Sequence, residues 1–280
     1  MTDQDPHMRS ASDLRLSLPL RIWIGIEVLF GLMSIVTISL SPGNTDANFS
    51  WPVKPEVTAA LLGGFYLAAA SFYVLALFAR RWENIRVFII ASILFSSTEL
   101  LATFLHLDRF SIGTTPFNVW FVSYILPPPL FIAFYIWHQR RAAPIPKVGD
   151  EPLPSGLRSL LRILGVPVAL VAVVAFVMPA IIVPLMPWQF TPLTLRALSG
   201  WVLALGVMMI SAAHENDRTR CRIISPFFIL LLPSIAIEVW RYSDQVDWSH
   251  PTVYVALALL AAIFVLGLYL ARGDWRRTMR

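Results

Sequence analysis

Cysteine is nearly missing from this chain. Cys221 stands alone, which excludes an intramolecular disulfide and any cysteine-based zinc cluster, and leaves helix packing to hold the fold. Charge is scarce as well: 14% of the residues are Asp, Glu, Lys or Arg, against about a quarter in a soluble domain. The sequence has no phosphate loop, Gly-rich dinucleotide fingerprint, nucleophile elbow or zinc-protease helix, so no chemistry with a short signature is indicated. Apart from one linker, no segment between apolar runs exceeds about 15 residues, too little for a separate catalytic domain.

What is plentiful is hydrocarbon. Hydrophobic residues make up 57% of the chain and the mean hydropathy is +0.67. Eight apolar runs lie near 21–40, 57–79, 87–107, 118–137, 161–187, 194–213, 222–240 and 252–271. Each has the roughly 20 residues that a helix needs to cross a bilayer. The first is read as a span and not a signal peptide: it follows a polar leader, carries Glu27 and lacks a small-residue cleavage site. Glu27, six residues beyond Arg21, is expected to snorkel toward the near surface.

Basic residues sort by side. Arg9, Arg15 and Arg21 precede the first span; Arg80, Arg81 and Arg86 lie between the second and third; Arg140, Arg141, Lys147, Arg158 and Arg162 flank the linker. Arg218, Arg220 and Arg222 follow the sixth span, and Arg272, Arg276, Arg277 and Arg280 form the tail, so 18 of 22 basic residues share one side. Only Lys54, Arg109, Arg196 and Arg241 fall opposite. Because cytoplasmic loops retain Lys and Arg, this predicts a multi-pass protein of the cell membrane with both termini cytoplasmic. The net charge of +5 therefore reports topology, and no nucleic-acid partner is expected.

The proline-rich stretch from Ala142 to Gly156 divides the chain. The expected organisation is a cytoplasmic segment (1–20), a four-helix repeat (21–138), a linker (139–158), a second four-helix repeat (159–271) and a basic tail (272–280). Trp51, Pro55, Ala60, Leu61 and Gly63 each fall 137 residues before Trp188, Pro192, Ala197, Leu198 and Gly200, sharing the pattern W-x3-P-x4-A-L-x-G. Arg86 and Arg222 match at a separation of 136. The fold class predicted is an all-α integral membrane protein of eight helices, built as tandem repeats about a pseudo-twofold axis along the membrane normal.

Two polar stripes mark candidate sites. In the third span Ser96, Glu99, Thr103 and His106 recur at helical spacing, and in the seventh Ser234, Glu238 and Arg241 do the same. The two stripes correspond only after a register shift of two or three residues. Both are expected to open toward an outer vestibule with Asp108 and Asp244, rimmed by Trp51 and Trp188. Intramembrane acids are functional candidates by default; the structural alternatives are a bond from Glu99 to Thr103 and an ion pair between Glu238 and Arg241. Pro127, Pro128 and Pro129 in the fourth span should break or strongly kink that helix and supply a hinge.

The reading that accounts for most of these features is a transporter or carrier for a small solute, ion or lipid. One alternative is a membrane enzyme or redox subunit using His106, Asp108, Asp244 and His250. No cofactor or metal is predicted; haem ligation would need His106 with His250, or His138 with His214, and no ligand motif accompanies either pair. The other alternative is an assembly partner that docks through small-residue faces such as Gly63, Gly64 and Ala68 to Ala70. Expected partners are the lipid bilayer, a small-molecule or lipid ligand, and a second copy or another membrane protein.

Overall fold

The computed structural model describes residues 14–142 and 151–279. Among them no strand forms, and eight helices are long and apolar enough to cross a membrane. They are α1 (Leu18–Ser39), α2 (Glu56–Phe78), α3 (Arg86–Leu105), α4 (Thr115–Arg141), α5 (Ser155–Val177), α6 (Pro192–Glu215), α7 (Arg218–Trp240) and α8 (Pro251–Ala271).

Local chemistry sets several ends. Thr114 and Thr191 cap α4 and α6 through their hydroxyls, each followed by proline in the first turn. The fifth helix starts earlier than expected, directly after Pro154, and stops at Val177 because Pro179 has no amide to continue it. The end of α1 widens into a π-turn over Ile35–Ser39.

The proline triplet interrupts α4 as the sequence suggests: the helix stops at Ile125, bends at Leu126 and restarts at Pro127. Pro127 opens a second helical segment, Pro127–Arg141, and Leu126 before it keeps helical dihedrals of φ −83° and ψ −41°. Proline at the start of a segment clashes with nothing that the preceding turn requires. The helix also continues to Arg141, three residues into the expected linker; residues 143–150, with Lys147, lie outside the described residues, as do Arg9 and Arg280.

Four helices, α2, α3, α6 and α7, form the centre. The second packs against α7 and the sixth against α3, while α1 lies on α2, α5 on α6, α4 on α3 and α8 on α7. The peripheral helices turn aliphatic side chains outward, among them Leu29, Ile163, Val177 and Val255, all more than half exposed, as lipid-facing surfaces require.

Lipid tails are as apolar as leucine, so burial gives helices little reason to associate in a bilayer, and close contact must supply it. Glycines provide the closeness. A Cβ on Gly206 would meet the Ala169 backbone nitrogen at 2.7 Å, so α5 and α6 touch backbone to backbone; one on Gly267 would meet Phe228 Cβ at 2.8 Å between α8 and α7.

One end of the bundle is knitted by charge. Arg86 pairs with Glu215, and Arg220 with Glu83 at 3.4 Å. Arg222, fully buried, donates to the carbonyls of Arg272 and Asp274, to Thr278 Oγ1 and to Glu151, which also meets Arg218 at 3.2 Å. Leu14 and Leu16 pair with the backbone of residues 80–82 at the same end, so both described chain ends lie on this basic face.

Substituting Gly206→Ala should push α5 from α6 and cost about 1–3 kcal/mol, as overpacking does. Gly25→Ala, which meets only Leu77 at 3.8 Å, should be neutral. Thermal unfolding of the detergent-purified variants checks the contrast.

Candidate functional site

The polar stripe of α3 faces inward, but its members go to different partners. Thr103 donates its hydroxyl to the Glu99 backbone carbonyl at 2.8 Å and accepts from Trp120 Nε1 at 2.9 Å. It therefore braces α4 against α3 and leaves the Glu99 carboxylate alone. That carboxylate is 1% exposed, and neither oxygen has a hydrogen-bond partner. It rests against Gly200 of α6, where a Cβ would fall 2.7 Å from Oε1. The motif glycine in the second half is thus the space that Glu99 occupies.

The next residue, Trp201, is the floor of a polar cavity enclosed by α1, α2, α3, α4 and α6. Tyr66 and Tyr124 join across it with their hydroxyl oxygens 2.5 Å apart, and Phe95 packs on Trp201 at 3.9 Å between ring centres. Ser34, Tyr73, Ser96 and Ser123 add hydroxyls to the wall. About 40 Å³ is open to water centres, room for two or three waters.

Glu27 also lines this cavity, and its buried Oε1 has no partner. The helix starts at Leu18, so Glu27 is about 14 Å along it at 1.5 Å per residue. Arg21, the nearby cation, is spent on the carbonyls of Leu77 and Ala79, each at 2.7 Å. No Lys, Arg or His lines the cavity.

The stripe of α7 is built differently. Glu238 accepts from Ser39 Oγ and pairs with Arg241 at 2.7 Å, while Arg241 also donates to the Ser39 carbonyl at 2.7 Å. This closed knot ties the π-turn of α1 to α7, and Ser39 reaches it because Gly63 beneath has no side chain. The residue that packs on α2 as Glu99 packs on α6 is Ile235, against Gly64. Ser234 lies partly buried on the same helix.

The outer residues do not gather into a polar vestibule. Trp51 is buried among Phe49, Phe110 and Trp120, 4.7 to 5.1 Å between ring centres. Trp188 donates to Thr58 Oγ1 at 2.8 Å. Asp108 pairs with Arg109 in solvent, and Asp244 is exposed in a turn. The large hollow at this end is an apolar cleft of about 610 Å³ between α6 and α8, reaching from Trp188 and Trp248 to Ile263.

Three histidines are engaged by protein groups, whereas His214 is exposed and His7 lies outside the described residues. His138 stacks on Trp82, accepts from the Ser17 amide at 3.2 Å and faces the Phe134 carbonyl at 2.8 Å. His106 bonds Arg196, and His250 accepts from the Thr252 amide at 3.3 Å. Among the described residues no three His, Cys, Asp or Glu side chains converge as metal ligands.

The chain matches no known protein family, no curated protein and no solved structure. The cavity with Glu27, the tyrosine pair and Glu99 is therefore argued from its own chemistry.

Burial, followed by the Arg196 guanidinium, pushes the His106 imidazole below its ordinary value. Its contribution to stability is then complete above the unfolded value near 6.5 and is lost as pH falls toward the folded one. The melting temperature of His106→Gln should fall less on acidification than that of the parent protein; equal slopes would remove His106 from the balance.

Proposed function

We propose that the protein is an ion-linked membrane carrier whose mid-membrane acids take up and release a cation or proton as a small solute moves. The observation that carries this reading is two carboxylates with buried, unpartnered oxygens, part-buried Glu27 in the cavity and fully buried Glu99 nearby, with no basic residue among the described residues that line the cavity. An ionised carboxylate in hydrocarbon needs a counter-charge. Where the protein provides none, a mobile cation or a proton must, and its arrival and departure change the energy of the state. A purely structural acid behaves as Glu238 does, locked to Arg241 and Ser39.

In this reading the two four-helix halves are tandem repeats about a pseudo-twofold axis. Support comes from the reciprocal packing of α2 on α7 and α6 on α3, together with the shared tryptophan-to-glycine motif. On this reading the halves have diverged: the hollow beside α1 holds Glu27 and several hydroxyls among apolar side chains, whereas the cleft beside α8 is almost wholly apolar. The basic face is assigned to the cytoplasm of a cell whose boundary membrane holds the protein, by the retention of Lys and Arg on that side.

The test uses vesicles containing the full chain, with imposed proton, sodium or potassium gradients and a pH- or ion-sensitive dye inside, screened against pooled small metabolites. Ion movement that depends on one added solute is expected. Glu99→Gln should reduce that movement at least tenfold while leaving the melting temperature within a few degrees. Solute-independent or undetectable ion movement across the full panel would overturn the carrier reading.

A further inference from the structure

Four of the hydroxyls around the cavity send their protons elsewhere. Ser34 Oγ donates to the Phe30 carbonyl at 3.1 Å, Ser96 Oγ to the Ser92 carbonyl at 2.7 Å, Ser123 Oγ to the Trp120 carbonyl at 2.8 Å and Tyr73 Oη to Ser92 Oγ at 3.1 Å. A hydroxyl has one proton and two lone pairs, so what these four groups retain for the cavity is acceptor capacity. Glu27 Oε1 adds an unpartnered carboxylate oxygen.

The proline triplet contributes more of the same. An α-helical carbonyl at position i is capped by the amide at i+4. For Ser123, Tyr124 and Ile125 those positions are Pro127, Pro128 and Pro129, which have no amide hydrogen. The neighbouring amides of Leu126 and Leu130 are committed to the carbonyls of Val122 and Leu126. Ser123 and Tyr124 are the α4 residues that line the cavity. The triplet, which divides the helix at Leu126, thus strips donors from the carbonyls of two cavity residues.

Building on the carrier reading, we infer that this cavity is a binding site for one sodium-sized monovalent cation, held by the Glu27 carboxylate with the Ser123 and Tyr124 carbonyls and the serine hydroxyl oxygens. A single lining carboxylate balances one positive charge, whereas a calcium site collects several acids. The space of about 40 Å³ admits an ion with one or two waters and excludes an organic ammonium, and Phe95, Trp201 and Tyr66 already pack on one another. Proton uptake alone would need Glu27 but would give no role to a wall of oxygen acceptors. Donor-free carbonyls in an interrupted helix are a general means of coordinating sodium in membranes. Glu99, behind Trp201 and Tyr66, is no ligand of the ion.

The test is a titration of the detergent-purified full chain with sodium, potassium and choline chloride at constant ionic strength, followed by melting temperature and by the tryptophan emission to which Trp201 contributes. Sodium should produce a saturable shift that potassium reproduces only at tenfold or higher concentration and choline not at all. Glu27→Gln should abolish the shift and Glu99→Gln should retain it. The double variant P127A/P128A, which returns amide donors to Ser123 and Tyr124, should fold at least as well as the parent and weaken apparent sodium affinity about tenfold. Identical curves for the three salts, or an unchanged sodium response in P127A/P128A, would overturn the site. Sodium binding without ion-driven flux would sink the carrier reading and leave the site standing; proton-driven flux with a flat sodium titration would do the reverse.

Discussion

Two helices in lipid gain stability over two separated helices only by fitting more tightly together than either fits the tails around it. That constraint governs this bundle. Gly165 and Gly206 bring α5 onto α6, Gly64 brings α2 onto α7, and Gly267 brings α8 onto α7. The same device makes the site. At Gly200 the space left by a missing side chain is filled by a carboxylate, and at Gly63 by the end of α1. Packing and chemistry are thus one arrangement: Glu99 is buried because α3 approaches α6 closely, and that approach requires glycine.

The two faces of the bundle solve the problem of polar groups in opposite ways. On the basic face Arg86, Arg218, Arg220, Arg222 and Arg277 each meet an acid, and Glu151 alone gathers Arg218, Arg222 and Arg277. Within the membrane the acids divide into two kinds. Glu238 is fully matched, whereas Glu27 and Glu99 retain oxygens that no group among the described residues satisfies, and a buried polar group without a hydrogen bond costs free energy that a matched one does not.

The eight spans were legible because membrane thickness fixes how long an apolar run must be, and the charge bias pointed correctly to a single basic face. Glu99 was legible as an acid at hydrocarbon depth, but its partner was not. Thr103 could have served by spacing; instead it turns to the backbone and to Trp120 on α4, a tertiary contact that periodicity does not encode. Glu27 was read only as an acid near Arg21; that it turns into a cavity beside Tyr66 and Tyr124 is a tertiary contact that spacing does not encode. Trp51 looked interfacial by residue type, and only the folding of residues 49, 110 and 120 around it puts it inside. The match of Glu238 to Glu99 required a register slip, and Ile235 is the residue that actually makes the equivalent contact.

Arg222 carries one more implication. It begins the helical turn that leads into the second half of α7, yet it is sealed by the carbonyls of Arg272 and Asp274 and the hydroxyl of Thr278, some 50 residues downstream. During synthesis from the N-terminus, this guanidinium is without those partners until α8 and the segment after it have been made, so residues 272–278 close the basic face as a clasp.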